Sequence, residues 1–250
     1  MKSASAAIPD LKKKIKRMYG TLYRESGPQG WWPVFCGGRK PLYRKGYYGL
    51  PSAGQTVEIC FGALLTQNAS WKNAEKALIN LKKENLLDFK KIDAVPARKL
   101  QQLIRSSGYY RQKALRLKLF SRWALSRGPG GLGFFFSKTG IAELRKELLA
   151  VKGVGPETAD SIMLYAALKP SFVIDAYTKR IYSRYFSAGE PGYDELKRIF
   201  EEALGQKRPL YAEFHALLVE LAKRACHKKT PECRVCVLKG GCGSAAGEKK

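Results

Sequence analysis

Apolar residues recur at helical spacing along most of the chain. The first such stretch, residues 9–24, places four apolar side chains on one face with lysines between them, which predicts a short helix. From Thr56 onward the same spacing returns in the ranges 57–65, 71–81, 100–104, 114–123, 141–149, 159–166, 178–185, 193–204 and 211–225. No sustained alternation of apolar and polar residues appears, so we predict a mainly α fold.

Residues 36–54 interrupt this helical pattern. They are rich in Gly, Tyr, Lys and Arg, a composition that predicts a loop or a short hairpin. Two interpretations stay open for this basic insertion. It is either a solvated surface insertion or a basic, aromatic flap that contacts DNA.

The hydrophobic content of the chain and the length of its apolar runs exclude several classes of protein. Of the 250 residues 45% are hydrophobic, which is too many for a disordered chain. No apolar run approaches the roughly 20 residues of a membrane span, and the start of the chain lacks the apolar core of a secretory signal. We therefore expect a cytoplasmic protein, associated with the nucleoid.

The formal net charge of +25 indicates a polyanionic partner. The excess is spread over residues 1–54 (+9), 55–170 (+11) and 171–250 (+5). Because it is not confined to one tail, it favours a nucleic-acid surface on the folded body.

Four of the six cysteines lie within 17 residues, with the spacing C-x6-C-x2-C-x5-C: Cys226, Cys233, Cys236 and Cys242. Four thiolates this close, separated by Lys, Pro and Gly, can converge on one metal centre. Disulfides would need an oxidising compartment. The spacing favours a metal over disulfides but does not choose between zinc and an iron–sulfur cluster.

The stretch 148–160 reads as a helix end, a Gly-x-Gly turn and a new helix. Gly153, Val154 and Gly155 form the turn, and Pro156 suits the first position of the second helix. Amide groups at such a helix start can bind a DNA phosphate. Between two amphipathic helices of a basic protein, this turn is a candidate helix–hairpin–helix motif.

Asp175 follows three apolar residues and opens the next predicted helix. An aspartate there is in the first place a helix cap. Its carboxylate is also stabilised as an anion by the helix dipole. A fixed anion suits cleavage of an N-glycosidic bond, since it can stabilise positive charge on the sugar and orient the attacking water.

The Gly153–Asp175 block, followed by the cysteine pattern, resembles the endonuclease III branch of the helix–hairpin–helix DNA glycosylases over roughly residues 56–243. The resemblance implies a [4Fe–4S] cluster held by the four cysteines of 226–242. It also implies two helical domains flanking a DNA-binding cleft. One would be a six-helix domain over 55–170 with the hairpin, and the other would combine 1–54 with 171–250.

In bifunctional members of this family a hairpin lysine attacks the sugar and drives strand cleavage. Glu157 occupies the matching position here, and a carboxylate cannot form a Schiff base. Lys152 lies before the hairpin, where we expect DNA contact rather than catalysis. The resemblance thus predicts a monofunctional enzyme.

Segments around Trp31 and Trp32, around Gln67 and at 214–217 resemble the 3-methyladenine glycosylases of this branch, which are similar in having an acidic residue at the position of Glu157. Aromatic rings suit a cationic alkylated purine, so Trp31, Trp32 and Glu157 are candidate residues of the base pocket. The tryptophans can equally anchor the N-terminal segment. Uracil, mismatched thymine and other modified bases stay open as substrates.

The target base must leave the DNA stack before excision. By the same resemblance Gln67 or Asn68 would fill the gap from one side, and Tyr109 would wedge from the other. Lys113, Arg116 and Lys118 are candidate phosphate contacts beyond the Tyr109 loop.

The sequence therefore predicts a monomeric glycosylase acting on double-stranded DNA. A rival hypothesis is a non-catalytic protein that keeps hairpin and cluster and only detects lesions. A third hypothesis is a nucleic-acid-binding domain in which the four cysteines bind zinc. Retention of Asp175 favours the enzyme, because a binding protein has no need of that carboxylate.

Overall fold

The computed structural model describes the backbone of residues 4–246 and the side chains of residues 10–245. The fold is mainly α, as predicted. The helices are α1 (Ala4–Ser26), α2 (Ala53–Leu65), α3 (Trp71–Lys83), α4 (Phe89–Ala94), α5 (Ala97–Leu103), α6 (Tyr110–Leu125), α7 (Gly131–Lys138), α8 (Ile141–Ala150), α9 (Pro156–Ser161), α10 (Ala176–Phe186), α11 (Tyr193–Leu204), α12 (Arg208–Arg224) and α13 (Gly243–Ala246).

Shorter elements join these helices. Helix α9 continues as a π-helical turn over Ile162–Ala166. Strands β1 (Val34–Phe35) and β2 (Pro41–Leu42) pair antiparallel. None of the described helices is long and apolar enough to cross a membrane.

The chain divides into two compact units. The hairpin unit comprises Trp32–Tyr43 and Gly49–Lys169, and the cysteine unit comprises the chain up to Trp31, Arg44–Tyr48 and the chain from Pro170 onward. The family resemblance implies that all of residues 1–54 join residues 171–250. Residues 32–43 and 49–54 instead belong to the hairpin unit, because Trp32 and Phe35 pack against its helices.

Helix α2 forms the centre of the hairpin unit. Its residues from Thr56 to Leu65 are all buried, and it packs against α3, α6 and the π-helical turn. A reciprocal capping box starts the helix. The Ser52 hydroxyl accepts from the Gln55 amide at 3.2 Å, and the Gln55 side chain accepts from the Ser52 amide at 3.0 Å. This pair fixes where α2 begins.

Aromatic side chains fill the rest of this core. Trp32 lies edge-on to Trp71 and tilted against Tyr165, with ring centroids 5.4 Å apart in both pairs. A Cβ at Gly62 would lie 2.8 Å from the Trp32 ring. Only glycine at this position of α2 lets the indole approach so closely.

The cysteine unit is built on a second aromatic core. Helix α1 packs on α11 and α12, and α10 packs on α12 and α13. The extended residues that precede α10 enter this core through Phe172, which stacks on Phe200 at 4.6 Å and meets Phe214 edge-on at 5.9 Å. The segment leading to Asp175 is thereby fixed in position by packing.

Part of the basic insertion is bound tightly within the cysteine unit. Buried Glu213 on α12 accepts hydrogen bonds from the Tyr48 hydroxyl at 2.5 Å and the Gln29 amide at 2.6 Å. Arg208 donates to the carbonyl of Tyr48. Burial and the neighbouring Glu213 carboxylate raise the pKa of Tyr48. Residues 44–48 are therefore an ordered part of this unit.

Candidate active site

Asp175 is the N-cap of α10 and lies almost completely buried, 9% exposed. Its Oδ1 accepts two hydrogen bonds from Thr178, from the amide at 2.7 Å and from the hydroxyl at 2.8 Å. Its Oδ2 lies 3.6 Å from Nε2 of His215 on α12. One oxygen is thus fixed by the helix start, and the other faces an imidazole.

These contacts keep the carboxylate ionised. Burial by itself raises the pKa of Asp175, but the nearby imidazole of His215 and the two hydrogen bonds from Thr178 outweigh it. The net result is a pKa below the usual value of aspartate. A buried carboxylate that stays charged is a preorganised partner for positive charge that develops in a transition state.

The residues before Asp175 hold it in register. The amide of Phe172 donates to Oε1 of Glu201 at 2.8 Å, and the amide of Ile174 donates to the Tyr193 hydroxyl at 3.4 Å. Both acceptors belong to α11. Side-chain acceptors thus satisfy the backbone of a buried, extended segment that pairs with no strand among the described residues.

In the other unit, α8 and α9 form the predicted hairpin. The amide of Val154 donates to the carbonyl of Val151 at 2.9 Å, and Pro156 begins α9. Within the described chain no acceptor binds the amides of Gly153 and Gly155. These free donors at a turn suit an incoming phosphate. Glu157, in the first turn of α9, is exposed, as is Lys152 before the turn.

Gln67 is bound to the hairpin. Its side-chain amide donates to the carbonyl of Gly153 and to the hydroxyl of Thr158, both at 2.9 Å. Its oxygen accepts from Arg116 on α6. Three contacts hold Gln67 against the hairpin unit, so its side chain braces the turn.

Asn68 and Tyr109, by contrast, are exposed and conformationally strained. Both adopt positive φ, 51° and 45°, and Tyr109 is 65% exposed. Non-glycine residues rarely adopt this region unless their surroundings impose it. The two loops thus present exposed side chains; their entry into DNA stays a prediction.

Lys113 corrects one sequence-based expectation. It was predicted to contact phosphate, but its side chain is fully buried, 0% exposed. Its Nζ donates to the carbonyl of Leu65 at 2.8 Å and to the carbonyl of Ser107. One amine therefore joins the end of α2, just before Asn68, to the turn just before Tyr109. Helical periodicity could not reveal this, because the two carbonyls are remote in sequence.

The other two candidate phosphate contacts are also engaged within the protein. Arg116 donates to Gln67, and Lys118 donates to the carbonyl of Asp93 at 2.6 Å. Both therefore help to assemble the hairpin unit.

The two tryptophans lie in different units. Trp31 belongs to the cysteine unit, where the Lys223 ammonium lies 5.8 Å from the centroid of its ring. Trp32 belongs to the hairpin unit and packs in its core. Both are partly exposed.

The four clustered cysteines form no disulfide in the described part of the chain, and they line one cavity of about 60 Å³. Burial raises the pKa of the Cys236 thiol; the amide of Leu238 opposes this, and the other three thiols raise it further. Arg184 on α10 donates to the sulfur of Cys226 at 3.3 Å. Within residues 10–245, no set of three histidine, cysteine or carboxylate side chains is arranged to hold a single metal ion.

Sequence reasoning missed two members of the Asp175 site. His215 had been noted only within a resemblance, and Thr178 only as the start of a helix. Thr178 was accessible from sequence, because a hydroxyl three residues after an N-cap aspartate can reach its carboxylate. His215 had no such signal, since it comes from a distant helix.

Comparison with known proteins identifies the class. Residues 61–206 match the model of the HhH-GPD superfamily of base excision DNA repair proteins. The chain therefore belongs to this superfamily.

Individual relatives agree with this assignment. A protein of Methanocaldococcus jannaschii that carries the name of a DNA repair glycosylase is 42% identical over 229 residues, which are 91% of this chain and 95% of that protein. The solved structure of the H. pylori 3-methyladenine DNA glycosylase bound to 1,N6-ethenoadenine is 28% identical, with a TM-score of 0.65 over 86% of this chain and 96% of that one. A trapped endonuclease III–DNA intermediate, 18% identical, has the same fold, with a TM-score of 0.72 over 96% and 99% of the two chains.

The first prediction concerns Gly153, which has a φ of +94°. A Cβ there would lie 2.5 Å from Cγ of Arg116. We expect Gly153→Ala to lower the free energy of unfolding by about 1–3 kcal/mol through backbone strain and overlap. Gly155 has an ordinary φ of −92° and open space around it. Gly155→Ala is therefore the matched control, expected to cost less than about 1 kcal/mol, because it only weakens the N-cap of α9. Urea unfolding measures both, and equal losses would contradict the account.

The second prediction concerns pH. Burial, aided by the charge of Arg116, lowers the pKa of Lys113 from 10.5 to about 8. Between these values the unfolded chain keeps a proton that the folded chain has released, so folded stability rises with pH. A neutral amine still donates to both carbonyls. The free energy of unfolding of the parent, minus that of Lys113→Met, should therefore be constant below about pH 8 and increase toward pH 10.5. A flat difference across that window would refute the assigned shift.

Proposed function

We propose that the protein is a monofunctional DNA glycosylase that hydrolyses the N-glycosidic bond of an alkylated purine in duplex DNA. The observation that carries this proposal is the buried, ionised carboxylate of Asp175, held by Thr178 and faced by His215. A merely structural N-cap has no need of a second, buried partner on another helix.

The chemistry follows from this geometry. As the bond between base and deoxyribose breaks, positive charge develops on the sugar, and the fixed negative charge of Asp175 stabilises it. The same carboxylate can accept a proton from the attacking water. Oδ1 already accepts two hydrogen bonds from Thr178, so Oδ2 is the oxygen available to the attacking water. His215, which faces Oδ2, sets the orientation of this water.

The absence of a lyase step rests on the hairpin sequence. Glu157 stands where bifunctional relatives have their nucleophilic lysine, and a carboxylate cannot form a Schiff base with the opened sugar. Lys152 is exposed and precedes the turn, so we assign it to DNA contact. Excision would then leave an intact strand with an abasic site.

An alkylated purine is the substrate that two observations support. The 28% identical structural relative is named for 3-methyladenine and holds 1,N6-ethenoadenine. Trp31 is partly exposed, and an electron-rich indole favours a cationic alkylated base over an ordinary neutral one. Trp32 would support the base pocket indirectly, through the aromatic core that it forms with Trp71 and Tyr165.

We propose that the four cysteines bind a [4Fe–4S] cluster. The donor set fits, since cysteine thiolates are the usual ligands of such clusters. A water molecule needs only about 10–15 Å³ of cavity, so the roughly 60 Å³ between these thiols suits a polynuclear group better than one tetrahedral ion. When bound, the cluster would have a structural role, because it would cross-link the loop that carries the four cysteines. Arg180 and Arg184 on α10 bind the carbonyls of Cys226 and His227 at 3.0 and 2.6 Å, so the loop would brace the helix that Asp175 caps.

The third prediction tests the catalytic role of Asp175. Asp175→Asn keeps the shape and the acceptor for Thr178 but removes the negative charge. Single-turnover excision of an alkylated base should fall by about 100-fold or more. The affinity for the same duplex should change little, because it depends on distributed basic charge. Excision by the variant at the parental rate would exclude Asp175 as the catalytic group.

The fourth prediction tests the cluster. The purified parent should be brown and contain iron and acid-labile sulfide, and Cys233→Ser should lose the visible absorption. The matched control is Cys36→Ser, because Cys36 is an exposed, free cysteine outside the set. It should keep the colour. A colourless parent with stoichiometric zinc would overturn the assignment.

A further inference from the structure

A second cavity lies in the hairpin unit, within the basic insertion. Its volume is about 590 Å³. The loop between β1 and β2 forms one wall, through residues 37–40, and the end of α3 forms the other, through Ile79, Lys82 and Lys83. Neither Asp175 nor the α8–α9 hairpin contributes to it.

The loop wall has an open backbone. Gly37 has a φ of +80°, and a Cβ on it would meet nothing within 4 Å; one on Gly38 would approach only a carbonyl, at 3.9 Å. Among the described residues, no acceptor binds the amides of Gly37, Gly38 or Arg39. A turn with free amides and no side-chain bulk lets an anionic group approach closely.

The side chains of both walls are cationic: Arg39, Lys40, Lys82 and Lys83. In the described part of the chain none of the four has a carboxylate within 4 Å. The neighbouring carboxylate of Glu84 is occupied by Lys99 at 2.7 Å. Four positive charges therefore surround one cavity; Lys82 is offset in part at longer range by the carboxylate of Glu58, whose pKa its charge lowers against the larger opposing effect of burial.

One of these cations is held in place. The ammonium of Lys82 lies 4.3 Å from the centroid of the Phe35 ring, and the amide of Phe35 donates to Oε2 of buried Glu58 at 2.8 Å. The cation–π contact fixes the ammonium at the cavity wall. Its orientation is therefore set before any ligand arrives.

We infer that this cavity binds phosphates of the duplex backbone, as a contact separate from the α8–α9 hairpin. Phosphodiester oxygens match free amides, a guanidinium and ammonium groups. Among the lining residues there is no aromatic ring on which a base could stack. The inference rests on the proposed function only in taking DNA as the partner.

The test is the salt dependence of DNA affinity. Arg39→Ala/Lys83→Ala removes two cavity charges, and Lys13→Ala/Lys16→Ala removes two exposed charges from α1. Dissociation constants for a 30-base-pair undamaged duplex would be measured between about 50 and 300 mM NaCl. Because each phosphate contact contributes about 0.9 to the slope of log affinity against log salt, the cavity variant should lose about 2 units of slope. The α1 variant should keep the parental slope, and so should Arg39→Lys/Lys83→Arg, which conserves charge.

The outcomes separate this inference from the proposed activity. A cavity variant with parental melting temperature and parental slope would overturn it, as would an equal loss of slope in the α1 variant. Binding of inorganic phosphate at the cavity without a change in the DNA slope would also overturn it. Undamaged duplex is used, so a failure to excise any base would refute the enzyme but leave this result standing.

Discussion

The cysteine unit depends on one constraint: the carboxylate of Asp175 has to stay ionised although it is buried. Asp175 loses most of its water, and the loss is offset by the amide and hydroxyl of Thr178 and by His215. Those partners exist only if α10 starts where it does and α12 lies against it. The aromatic core around Phe172 and the side-chain acceptors on α11 fix the segment that delivers Asp175. The fold therefore supplies the electrostatics that a water-filled site could not.

In the hairpin unit, hydrogen bonds between remote segments hold two protruding loops in place. Gln67 ties the end of α2 to the hairpin, and Arg116 braces it from α6. Lys113 is buried and ties the two loops to each other through their carbonyls. Asn68 and Tyr109 keep strained backbones because these contacts determine the surrounding chain. The interior of this unit is thus arranged to present side chains outward.

Much of this could be predicted from sequence, for local reasons. An apolar run followed by aspartate predicts a capped helix, and Gly-x-Gly-Pro between two apolar faces predicts the hairpin. Both signals lie within a few residues, and so do the interactions that produce them. The exact ends of the helices were harder to predict from the sequence. The first helix, predicted over 9–24, extends from Ala4 to Ser26.

Contacts between remote segments were not predictable. Lysines on an amphipathic helix are usually solvated, so Lys113 was assigned to phosphate although it is buried. The partnership of His215 with Asp175 and the cavity between the insertion and α3 also depend on tertiary packing. The cysteine spacing indicated a metal centre, but choosing iron–sulfur over zinc required the family resemblance.

The central claim is that a carboxylate excises the base with water and that no lysine attacks the sugar. The most direct test incubates the protein with a duplex carrying one alkylated purine. One sample contains no borohydride and is split, with half treated with alkali; a separate sample contains borohydride and is examined only for a covalent protein–DNA adduct. The account predicts strand breakage only after alkali and no covalent protein–DNA adduct. Breakage without alkali, together with an adduct trapped by borohydride, would contradict it.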